Sequence, residues 1–135
     1  MDKVLARAQR DGLETNDPQA VLKEYERFLQ LAAASRGTGE ASVPPPHVDS
    51  LWHAHLLHTQ DYAQKCKELG CNFIDHEPWD PARGEEVIRA DFMRYQRTLE
   101  RYEEMFGETA PSSIWPKDAD ARDMCETEGS RGWAL

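Results

Sequence analysis

An all-α fold, a single-domain bundle of about four helices, is the class this sequence predicts, and three observations predict it. Four segments repeat apolar residues at the three- and four-residue spacing of a helix face. None carries the sustained two-residue alternation of a half-buried strand. Helix starts and stops bracket the segments, with Asp17-Pro18 and Asp80-Pro81 as starts and Gly12, Gly37, Gly70 and Gly107 as stops. At 135 residues the chain is long enough to bury roughly two-thirds of its unfolded surface without a metal or disulfide staple.

The first segment, about Asp2 to Arg10, is too short to be helical alone and is predicted to form by docking on the rest. Asp17 and Pro18 give the second helix its cap and first residue. Ala20, Val21, Leu22, Tyr25, Phe28, Leu29 and Leu31 then recur until Ser35-Arg36-Gly37 stops them. From Gly37 to Pro46 the chain must cross over as a loop, because Pro44, Pro45 and Pro46 follow a run of small polar residues that does not sustain helix. His47 to about Leu69 reads as one helix carrying Val48, Leu51, Trp52, Leu56, Tyr62, Ala63 and Leu69, ended by Gly70. The connector after it is broken by Pro78, so Phe73, Ile74 and Trp79 are expected to fill gaps in the core. A last long helix is predicted from Asp80-Pro81 to about Phe106, with Val87, Ile88, Phe92, Met93, Tyr95, Leu99, Tyr102 and Phe106 as its apolar positions. Ile114-Trp115-Pro116 is a final anchor, which puts the helical domain at residues 1–116. Residues 117–135 are small, polar and acidic and are expected to form a mobile tail. Asp118, Asp120 and Asp123 lack the turn glycine and bidentate Glu of a calcium loop.

Charge and composition narrow the function classes. Sixteen Lys and Arg against 25 Asp and Glu leave a net charge of −9, so a basic face that tracks phosphates is not expected and nucleic acid is set aside as a partner. No stretch approaches the ~18 apolar residues of a membrane span, and Met1 to Arg7 shows no apolar leader core, so the protein is expected in the cytoplasm with no membrane partner. Cys66, Cys71 and Cys125 form no C-x-x-C pair and are read as reduced thiols.

The histidines concentrate the chemistry. His47, His53, His55 and His58 fall within one helix start, and His76 lies just beyond that helix. At about 100° per residue, His55 shares a face with Val48, Trp52, Thr59, Tyr62 and Cys66 and is expected to be buried. His53 sits about 160° around from His55, so one regular helix cannot aim both rings at one ion. Two pairs do share a face, Asp49 with His53 at i, i+4 and His55 with His58 at i, i+3. His55 and Cys66, about 16 Å apart along an unbroken helix, cannot hold one metal. His76 can fold back after the turn at Gly70. Asp49, His53 and His76 then form a two-His-one-carboxylate set with coordination positions left open, chemistry that suits zinc or iron better than magnesium. Each feature also has a plainer reading. An i, i+4 Asp–His pair often makes a structural hydrogen bond, and Asp49 in a first turn is favoured by the helix dipole by ~0.3–1 kcal/mol. His55 reads more readily as a core histidine than as a ligand or general base, His47 and His58 are read as surface residues, and Trp52 and Tyr62 are most economically core residues, with a stacking platform for a ligand the lesser reading.

The run Val48-Asp49-Ser50-Leu51-Trp52-His53-Ala54-His55, followed by Tyr62, Cys66 and His76-Glu77-Pro78, resembles the glycine-rich domain-containing protein-like family, whose signature is V-D-x-x-W-H-x-H, Y-x-x-x-C and H-x-P. The flanking helices around Tyr25 to Leu29 and Tyr95 to Trp115 extend the likeness over roughly residues 15–116. The resemblance implies a domain more than a reaction. It points to Asp49, His53, His55, Tyr62, Cys66 and His76 as the recurring polar positions; the glycine-rich segment that names the family has no counterpart among the eight scattered glycines.

Together these readings predict a transition-metal or small-ligand site on the central helix. Asp49, His53 and His76 are the candidate metal ligands. His55 and Tyr62 are the candidate catalytic groups, His55 for proton transfer or ligand orientation, and Trp52, Tyr62 and Cys66 line the pocket. The alternative is a non-catalytic protein-interaction module in which the same Asp and His residues satisfy one another and the acidic surface or tail meets a basic partner.

Overall fold

The computed structural model describes residues 1–76 and 84–117. Trp79, the Asp80-Pro81 helix start and the acidic tail from Asp118 lie outside the described residues. Those residues form five α-helices and no strand: α1 (Asp2–Arg10), α2 (Pro18–Ser35), α3 (Pro46–Leu57), α4 (Thr59–Glu68) and α5 (Glu85–Phe106). No helix among them is long and apolar enough to cross a membrane.

The central helix α3 packs against both α1 and α2. From α1 it receives Val4 and Ala8, both buried, which is the docking that lets so short a helix form. From α2 it receives the stripe Val21, Tyr25, Phe28, Leu29 and Ala32. Helix α2 begins as expected: the Asp17 carboxylate accepts the Ala20 N–H at 3.1 Å with Pro18 behind it. It ends where the Ser35 hydroxyl donates to the Ala32 carbonyl at 3.1 Å and the chain passes through one 3₁₀ turn, Arg36–Thr38.

The crossover that follows is strapped to α5. Glu40 accepts Arg97 Nε at 2.6 Å and Arg101 at 3.3 Å, and the Val43 N–H donates to Thr98 Oγ1 at 3.1 Å. The Arg97 hydrogen bond, with Arg101 beside it, holds the Glu40 carboxyl below the ordinary range.

The structure corrects the expected single helix from His47 to Leu69. At His58 the backbone leaves the helical region (φ −98°, ψ 72°) and divides the segment into α3 and α4. His58 Nδ1 donates to the Ala54 carbonyl at 2.9 Å, taking the acceptor that the His58 N–H would use in a continuous helix, and that N–H turns to His55 O instead. The break also puts Thr59, expected on the apolar face, at the surface, while His47 and His58, expected at the surface, are half-buried.

Two apolar expectations fail for geometric reasons. Phe73 is 44% exposed, because Ile74 turns inward and neighbours in a non-helical run face opposite sides. Met93 is 49% exposed, since it lies about 180° around α5 from the buried Tyr102. The anchor at Trp115 holds: its ring is fully buried and the Tyr95 hydroxyl donates to Pro116 O at 2.8 Å. Trp115 Nε1 and the Tyr102 hydroxyl both donate to buried Glu24, at 3.0 and 2.7 Å, which ties α2, α5 and the C-terminal anchor together.

Candidate metal centre

Asp49 lies in the first turn of α3, one turn before His53, so the helix alone stacks the carboxylate against that imidazole. His53 Nε2 is 3.2 Å from Asp49 Oδ2. The connector after α4 folds back over α3 and sets His76 Nε2 3.0 Å from the other carboxylate oxygen, Oδ1. The three donor atoms lie within 4.8 Å of one another. They are the one group of three or more potential ligands among the described residues.

The surroundings hold these groups in place. Trp52 stacks face to face on His76, with centroids 4.1 Å apart and planes 5° from parallel. The His53 and His76 rings sit 4.6 Å apart at 56°. Asp49 and His76 side chains are each 8% exposed. Burial pushes the Asp49 carboxyl up, but the two imidazoles beside it outweigh that and hold the group below the ordinary carboxylate range. Although 3.0 Å apart, Asp49 Oδ1 and His76 Nε2 are not aligned as a hydrogen bond, and both atoms are sealed from solvent.

The Asp49 and His76 side chains adjoin a cavity of about 470 Å³. Asp49, Trp52 and His76 form one side of it, and Arg36, Asp91 and Arg94 form others. Of the three expected pocket residues, Trp52 alone lines this cavity. Tyr62 and Cys66 lie behind it in the core, each 1% exposed. Burial raises the Cys66 thiol. Cys66 and Cys71 are both free thiols.

His55 is buried, as expected, but faces away from the Asp49 group. Its Nδ1 is 2.7 Å from the Tyr25 hydroxyl, and its ring meets Tyr62 edge-on at 5.2 Å. Burial lowers the imidazole to about 4, so the ring is neutral at pH 7 and the Tyr25 phenol donates to it. Tyr62, the other candidate catalytic group, accepts the Trp52 Nε1–H at 2.9 Å and donates to the Ile74 carbonyl at 2.5 Å. Its own proton is thereby committed, and burial raises its pKa.

Sequence reasoning missed the cavity walls Arg36, Asp91 and Arg94, which no local motif marks. It also missed Glu24, whose one signal was a carboxylate set between Val21 and Phe28 on an apolar stripe.

Comparison with known proteins agrees with the resemblance read from the motif. Glycine-rich domain-containing protein 1 of Arabidopsis thaliana is 29% identical over 92 residues, 66% of this chain and 11% of that protein. The chain thus spans about a ninth of the length of the curated relative it matches. No solved structure matches. A family model described as UCP032817-like matches residues 2–108, which takes in all five helices and the Asp49, His53 and His76 positions. On that match the chain belongs to the UCP032817-like family.

Proposed function

We propose that the protein binds one transition-metal ion, zinc or iron, through Asp49, His53 and His76, and offers the ion's open positions to a small molecule in the adjoining cavity. The observation that carries this reading is the convergence of two imidazoles and one buried carboxylate on a point beside that cavity. Ligand atoms about 2.0–2.1 Å from a common ion lie about 2.9–3.4 Å apart. The Asp49 contacts of 3.0 and 3.2 Å already match this spacing. All three donor atoms lie within 4.8 Å of one another, so Asp49, His53 and His76 would hold an ion with at most a small closing of the imidazoles. A purely structural Asp–His pair needs only one ring, whereas here the connector brings in a second.

A bound ion of this kind supplies Lewis acidity or, as iron, a site for oxygen chemistry. The chain's part is to fix the two rings, keep Asp49 ionised and hold Trp52 against His76. The free thiols Cys66 and Cys71 support a reducing, cytoplasmic setting.

Elemental analysis of protein purified without an affinity tag, followed by titration of the metal-free form, tests the proposal. One equivalent of a transition metal is expected, lost in His53→Ala and His76→Ala while the helical signal persists. No metal and no uptake, or unfolding of both variants without any metal in the wild type, leaves the interaction-module reading in its place.

A further inference from the structure

We infer that Tyr62 is a positioning residue that latches the His76-bearing connector onto α3 and so sets the affinity of the metal site. This inference rests on the metal reading above and assigns Tyr62 a role other than proton transfer. Indole N–H groups only donate and carbonyls only accept. The phenol proton therefore has one arrangement: Trp52 Nε1–H donates to the Tyr62 oxygen, and the Tyr62 hydroxyl donates to Ile74 O. The carbonyl it holds is two residues before His76. The indole it orients is the one stacked on the His76 ring. One buried hydroxyl thus restrains the ligand from both sides, through its backbone and through its ring plane.

The break at His58 is what makes the latch possible. On a continuous helix Trp52 and Tyr62 would be about 15 Å apart along the axis. The bend closes that gap to a hydrogen bond of 2.9 Å. His76 ends the described non-helical run 69–76 and is not carried on a described helix, whereas His53 and Asp49 are placed by α3. The latch therefore acts on the one ligand that needs it; removing a group bonded directly to a ligand typically costs roughly 10–100-fold in metal affinity, and Tyr62, one contact further out, belongs at the lower end of that range.

Cobalt(II) titration of the metal-free protein, read by ligand-field absorption, tests this. Tyr62→Phe is expected to raise the cobalt dissociation constant about 10-fold and to alter the ligand-field bands as His76 loosens. Trp52→Phe, which keeps an aromatic ring but removes the indole donor, is expected to shift both in the same direction and serves if Tyr62→Phe does not fold. Val21→Ala is the control, since it opens a cavity in the α2 core and should lower thermal stability while leaving cobalt affinity and spectrum unchanged. Wild-type affinity and bands in Tyr62→Phe, or an equal loss of affinity in Val21→Ala, overturn the latch and leave the metal site standing. A wild-type protein that binds no cobalt overturns both.

Discussion

Burial of a single imidazole gives this protein an acid sensitivity separate from that of its carboxylates. His55 is pushed down to about 4 in the folded chain, against about 6.5 for an unfolded imidazole. As pH falls, the unfolded chain takes up this proton first. Stability that is whole above about pH 6.5 is therefore lost on the way down toward pH 4, at no more than about 1.4 kcal/mol per pH unit. Asp49, Glu40, Asp61 and Glu108 are held below the ordinary range and contribute their losses at lower pH. Urea unfolding of wild type and His55→Gln at pH 7 and pH 5 should show the wild type losing more stability between the two; parallel losses would contradict the burial argument. Glu24 poses the opposite case, a buried acceptor that two buried donors depend on. Glu24→Ala leaves the Tyr102 hydroxyl and Trp115 Nε1 without it and should cost about 3 kcal/mol by urea unfolding, with Glu24→Gln costing less because an acceptor oxygen remains.

Local signals were enough for elements whose boundaries are made locally. Asp17-Pro18 starts α2 where the sequence places it, and removing the cap in Asp17→Ala should cost about 1 kcal/mol, read as a lower urea midpoint. Helix α1 also spans the expected Asp2–Arg10. The division between α3 and α4 was not legible, because no proline or glycine marks it. It depends on a side chain, His58, competing for the Ala54 carbonyl. Periodicity counted through that point joined Thr59 to a face it does not share, and it set Trp52 and Tyr62 on one face but about 15 Å apart along the axis. The hydrogen bond that most affects the site was hidden for the same reason.

Across the whole molecule, the ligand set was readable while its container was not. Asp49 and His53 are neighbours by helix spacing alone, and a turn at Gly70 allows His76 to return to them. The cavity wall is assembled from the end of α2, the crossover, α3, the connector and α5, so only tertiary packing reveals it. A site that binds metal in the folded state alone should also stabilise the fold. Zinc at a hundred times its dissociation constant should add ~2.7 kcal/mol and raise the melting temperature by roughly 10 °C, an increment expected to vanish in Asp49→Asn. Anomalous diffraction at the zinc edge, from crystals of the protein loaded with that metal, examines the site itself. A single strong peak about 2 Å from His53 Nε2, His76 Nε2 and an Asp49 oxygen is the predicted map. A map with no peak there, or with zinc bound only at surface residues, would contradict it.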